Sequence, residues 1–152
     1  MNRKKLQSEV CKALLDGSNR CYCCKLNEKE IAVTINGYDV FVFDIKECVF
    51  DISKITEHKT LLEVCNEKDS DARIIKGNQL FQDGRRTIQR YKEVRGKFDV
   101  YADTCITKKF DDSDFVMLAS HSLDRVLVKD RFGRIVGAFL PVNFKRKDEF
   151  NE

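Results

Sequence analysis

The stretch Ile31–Asp44 reads IAVTINGYDVFVFD. Two runs rich in β-branched and aromatic residues, Ile31–Ile35 and Tyr38–Asp44, flank Asn36-Gly37. That dipeptide is the strongest short-range hairpin signal, because both central turn positions favour positive φ. In the return strand Phe41 and Phe43 share one face by the period of two. Aromatics so placed belong to a core more often than to a base-stacking platform.

On the N-terminal side, Leu6, Val10, Ala13 and Leu14 recur at i, i+4, i+7 and i+8. That is one apolar stripe on a helix from about Asn2 to Leu15, ended by Asp16-Gly17-Ser18-Asn19. Arg20–Leu26 alternates loosely as a strand. On the C-terminal side, Glu47–Ile52 suggests a short strand and Thr56–Cys65 a helix with Leu61, Leu62 and Cys65 facing inward. Asn66–Asp71 is a polar loop. Arg73–Ile75 and Arg85–Val94 read as strands, with a turn at Asp83-Gly84, and Phe98–Tyr101 follows as another. Asp103 caps a short helix to Phe110, with Ile106 and Phe110 on one side. Phe115–Ser120, Arg125–Asp130 and Arg134–Leu140 close the sheet around the turn Arg131-Phe132-Gly133, and Pro141 ends the ladder.

These elements predict one α+β domain over residues 1–143, mostly antiparallel sheet with two or three short helices, and a charged, flexible tail over 144–152. There is an internal echo of pattern. A short striped helix followed by two or three strands occurs in Asn2–Asp44 and again in Asp103–Pro141, suggesting two pseudo-repeated helix-plus-sheet halves.

The 152 residues fit one domain. With 42% hydrophobic and 35% charged residues the chain is globular, and one proline excludes collagen-like and proline-rich classes. No apolar run approaches the roughly 18 residues that span a bilayer. Basic Met1–Lys5 is not followed by an apolar signal core, so a cytoplasmic protein without a membrane partner is expected. Seven irregularly spaced cysteines agree with a reducing compartment. The net charge is only +3, but it is unevenly spread. Arg85–Lys97 holds six basic residues against Glu93, whereas Phe110–Asp114 holds Asp111, Asp112 and Asp114. Such asymmetry steers charged partners to one face.

No constellation for catalysis stands out. Cys21-Tyr22-Cys23-Cys24 contains a C-x-x-C spacing, but Cys11, Cys48, Cys65, Cys105, His58 and His121 are isolated, and a zinc site needs a second ligand pair. On a strand Cys21 and Cys23 share one face and Cys24 takes the other, which suits buried free thiols better than a chelate. Nothing in the sequence brings Cys105 and His121 together as nucleophile and base. The carboxylate pairs Asp111-Asp112 and Asp69/Asp71 sit in polar, loop-like stretches. The glycines are scattered, with no phosphate-binding loop. Arg90-Tyr91-Lys92 is the clearest basic–aromatic juxtaposition of the kind single-strand binders use. A non-enzymatic protein without cofactor or metal is therefore expected.

The closing stretch Asp124–Val142, DRVLVKDRFGRIVGAFLPV, resembles the end of a bacterial DNA sliding clamp: a strand, a charged turn, a strand, then an apolar residue, proline and Val or Met, here Leu140-Pro141-Val142. The helices and hairpin upstream fall in the order this resemblance calls for. It implies two helix-plus-sheet halves, with the helices holding duplex DNA loosely through phosphates. The matching positions are Arg3, Lys4, Lys5 and Lys12 on the first helix and Lys108 and Lys109 on the second. Phosphate contacts carry no sequence information, so a ring built this way slides. Clamps close a ring from six such domains, and this chain has room for one. It would assemble as a homo-oligomer or act as a monomeric derivative. Clamps usually add a basic residue after this ending, where Asn143 stands here. The implied function is a non-enzymatic, clamp-like binding protein contacting duplex DNA or replication proteins. The alternative is a small inhibitor from a phage or other mobile element that binds and blocks a host enzyme or complex. Residues Thr56–Gly96 have no counterpart in the clamp pattern.

Overall fold

The chain reverses at Asn36-Gly37 as expected, with Gly37 at φ +84°, but through a longer loop than a two-residue turn: Asn36 Oδ1 accepts the Tyr38 amide at 2.9 Å, Thr34 Oγ1 accepts the Gly37 amide at 2.9 Å, and the pairing is shifted by one residue. The loop joins β2 (Glu30–Thr34) to β3 (Asp39–Asp44), with Ile31 opposite Phe43 and Val33 opposite Phe41. The computed structural model describes residues 1–17, 20–66, 71–119 and 124–143. The expected tail over 144–152, the histidine His121, the acid Asp69 and the last residue of the strand ending at Ser120 lie outside them.

The remaining elements are α1 (Arg3–Leu15), β1 (Tyr22–Lys25), β4 (Thr56–Glu57), α2 (Thr60–Val64), β5 (Ala72–Asp83), β6 (Arg86–Glu93), β7 (Asp99–Asp103), α3 (Thr104–Thr107), β8 (Val116–Ala119), β9 (Val126–Lys129) and β10 (Ile135–Phe139). One sheet of ten strands runs β4-β1-β2-β3-β10-β9-β8-β5-β6-β7. It is antiparallel except where β4 joins β1. The chain is α+β as expected.

The strand order contains a symmetry. α1 leads into β1, β2 and β3, and α3 leads into β8, β9 and β10. The third strands of the two units, β3 and β10, pair antiparallel at the junction, Gly137 opposite Phe41. Two α-β-β-β units therefore stand back to back. The stretch without a place in the clamp pattern is added around them: β4 on the β1 edge, and the β5–β6 hairpin with β7 beyond β8.

The two faces are divided by alternation. One buries Ile31, Val33, Phe41 and Phe43 against Leu6 and Val10 of α1 and against Phe110, which follows α3 in a 3-10 turn over Lys108–Phe110. The other buries Ala32, Val40 and Val42 against Leu61 and Cys65 around α2. β10 serves both faces, with Ile135 on the α2 side and Val136 on the α1 side, and the bulge between Ile135 and Gly137 leaves Gly137 also toward Phe110 on the α1 side.

The sheet curls. Five steps in strand order separate β10 from β7, about 24 Å if the strands lay flat. Yet the Val142 amide, just past β10, donates to the Tyr101 carbonyl in β7 at 2.7 Å. Phe110 fills the inside of this curl, stacked on Phe41 at 5.0 Å and against Phe139 at 5.8 Å. Burying such a ring contributes about 1.5–3 kcal/mol.

Three elements differ from expectation. Glu47–Ile52 is not a strand: 3-10 turns form at Ile45–Glu47 and Ile52–Lys54, and Asp51 Oδ1 caps the latter through the Ser53 amide at 3.1 Å. The helix expected over Thr56–Cys65 shrinks to α2, because Thr56 and Glu57 pair with Tyr22 and Cys23. β5 runs to Asp83, far beyond Ile75, because β6 pairs along it.

Candidate nucleic-acid interface

α1 is set by its ends and its stripe. Asn2 Oδ1 accepts the Lys5 amide at 3.1 Å, capping the first turn. Leu6, Gln7, Val10 and Ala13 are buried. Gln7 is a clamp: its Nε2 donates to the Glu47 carbonyl at 3.0 Å and its Oε1 accepts the Val49 amide at 2.7 Å. The helix cannot roll without breaking both bonds, so its outward face is defined. That face carries exposed Lys4, Lys5, Ser8 and Lys12, with Arg3 and the single acid Glu9 half-buried.

α3 is capped by Asp103, whose Oδ1 accepts the Cys105 amide at 2.9 Å. Lys108, in the 3-10 turn that continues it, is exposed. Because residues from α1 and from the α3 turn enter the same core cluster, the two lysine-bearing segments lie on one face of the sheet.

Lys109 is placed differently from its neighbour. Its Nζ lies 2.9 Å from Asp39 Oδ2, and the Asp39 side chain is 0% exposed. The ammonium also sits 5.7 Å from the centre of the Phe41 ring. Its charge is spent on anchoring the turn to β3. The sequence hides this pair, since Asp39 is 70 residues away.

The basic–aromatic triplet on β6 is not a stacking platform. Tyr91 is buried and hydrogen-bonds Thr107, and Arg90 donates to Asp99 Oδ2 at 3.1 Å through Nε. Burial pushes the Tyr91 hydroxyl up.

The cysteines follow strand alternation. Cys21 and Cys23 point into the α1-side core and Cys24 into the other. Burial, with Glu57 adding to it, pushes the Cys23 thiol up to about 11. Burial raises Cys65 to about 12 against the lowering effect of Arg125. Such thiols hold their protons at neutral pH, the opposite of what nucleophiles and metal ligands require. Among the described residues no group of three or more His, Cys, Asp or Glu side chains converges to hold a metal. His58 Nδ1 lies 2.5 Å from Thr60 Oγ1 and accepts the Thr60 amide at 3.4 Å, so it serves the start of α2, with its ring edge-on to Tyr22. Beside it a cavity of about 310 Å³ is walled largely by apolar Val40, Leu61, Val64 and Ala138. Asp111 and Asp112 are exposed, and Asp112 Oδ1 accepts the Asp114 amide at 3.0 Å.

Among the described residues no helix is long and apolar enough to cross a membrane. Comparison with protein families, with curated proteins and with solved structures finds no match to this chain.

Proposed function

We propose that this chain is a non-enzymatic, clamp-like domain that holds duplex DNA through phosphate contacts from Lys4, Lys5 and Lys12 on α1 and Lys108 beside α3. The observation that carries the reading is the outward face of α1: three exposed lysines, one half-buried arginine and one half-buried acid, on the same side of the sheet as Lys108. The back-to-back α-β-β-β units and the Leu140-Pro141-Val142 ending support the clamp-like part. Contacts of this kind read backbone charge and no bases, so affinity is low, indifferent to sequence and strongly dependent on salt. Replication proteins are further partners of this reading.

Fluorescence anisotropy of a labelled duplex, titrated over a series of salt concentrations, tests it. Four neutralised phosphates give a slope of log K against log salt near −3.6, about −0.9 per contact. Affinities for two duplexes of unrelated sequence agree. Absence of binding at the lowest salt refutes the proposal.

A further inference from the structure

The short strand expected over Arg73–Ile75 is replaced by a long arm, Ala72–Asp83, with an open side. β8 pairs with β5 only at Ala72, Arg73 and Ile74. From Ile75 to Asp83 no strand among the described residues covers that edge, although β6 covers the other. Ile75 is 52% and Leu80 59% exposed. Where the next turn of β8 would have lain there is a groove of about 550 Å³, bounded by Ile75, Lys76 and Leu80 on one side and by Asp111, Asp112 and Val116 on the other. An open edge with exposed apolar side chains is a template for another strand.

The charges select the occupant. The open stretch carries only two, Lys76 near its start and Asp83 at its end. In the antiparallel register of two β5 copies centred between Gln79 and Leu80, Lys76 of each lies opposite Asp83 of the other, which within its own chain pairs with Arg86. That register carries the hairpin tip of each copy, with exposed Arg85, toward the groove end walled by Asp111, Asp112 and Lys108 of the other, where two acids outnumber one cation. The basic tip and the acidic loop, separated in sequence, are complementary across such a pair. The arrangement is self-complementary about a two-fold axis, so both edges are closed at once.

We infer that the Ile75–Asp83 edge of β5 is the interface of a two-fold homodimer, in which Arg85 of each copy meets the Asp111-Asp112 loop of the other. The inference does not rest on DNA binding: Lys4, Lys5 and Lys12 lie on α1, and of the proposed phosphate contacts only Lys108 lines this groove.

The test is sizing with in-line light scattering over a micromolar-to-millimolar series, with no nucleic acid present. The unaltered chain shifts from monomer to dimer as concentration rises. Arg85→Asp, at an exposed tip away from the core, raises the dissociation constant by about tenfold or more, because like charges then meet twice. Arg85→Asp combined with Asp111→Arg recovers the original constant. A chain that stays monomeric throughout overturns the inference. So does a dimer indifferent to Arg85→Asp, or one that the double variant fails to recover.

Discussion

Gly137 of β10 lies beneath the ring of Phe110: a methyl group added at Gly137 would stand 2.5 Å from Phe110 Cε1, and it would also meet the Val40 carbonyl. The ring that fills the curl reaches β3 only because β10 has no side chain there. Gly137→Ala therefore destabilises the fold by about 1–3 kcal/mol through overpacking. Denaturant unfolding measures this as a lower midpoint with an unchanged slope.

The Lys109–Asp39 pair makes a separate prediction, because two roles are separable at that lysine. Lys109→Ala leaves a carboxylate that is 0% exposed without its cation. Loss of one partner of a buried pair costs about 3–5 kcal/mol. The 28% exposure of the Lys109 side chain places this case at or below the lower end. Asp39→Asn in the same chain restores most of the loss. Duplex binding per folded molecule is unchanged, whereas an account in which Lys109 contacts phosphate predicts a shallower salt slope.

β5 gains two residues relative to β6 between Lys76 and Leu80. Buried Gln89 sits at that bulge, its Nε2 donating to the Gly77 carbonyl at 2.8 Å and to the Arg90 carbonyl at 3.0 Å. Gln89→Leu removes the donor and leaves those carbonyls without it, costing about 1–3 kcal/mol. Amide exchange across residues 76–80 accelerates more than exchange in β2 and β3.

The raised thiols set a pH dependence. Cys23 and Cys65 move from 9.0 to about 11 and about 12 on folding. The unfolded chain therefore ionises first. The contribution of these thiols to stability is complete below the unfolded value and is lost as pH rises through the folded values. Unfolding midpoints fall from about pH 9 upward, and Cys23→Ala with Cys65→Ala flattens the decline. Near pH 8 a thiol reagent labels exposed Cys105 in the folded chain and reaches Cys23 and Cys65 only after unfolding.

What the sequence made legible follows local rules. Asn36-Gly37 marked where the chain reverses, though not the register, which is one residue off that of a two-residue turn; the stripe Leu6–Val10–Ala13 fixed a helix face, and alternation placed Cys21 and Cys24 on opposite sides of the sheet. The second half of β5 was illegible because Lys76–Gln82 holds one glycine and four polar residues, and its strand character comes from pairing with β6. The exposed lysines of α1 were readable from the helical period. The commitment of Lys109 to Asp39 was not, since only the curl of the sheet brings the two together. The closeness of the Arg85 tip to an acidic loop across a dimer likewise follows from which edge is left open, a property of topology.

The most direct test of the phosphate-binding claim compares salt slopes of duplex binding for the unaltered chain and for Lys4→Ala/Lys5→Ala/Lys12→Ala. These side chains are exposed, so the fold survives their truncation. With Lys108 alone left, the slope falls from about −3.6 to about −0.9. An unchanged slope would contradict the account, because the cations that hold DNA would then lie somewhere other than α1.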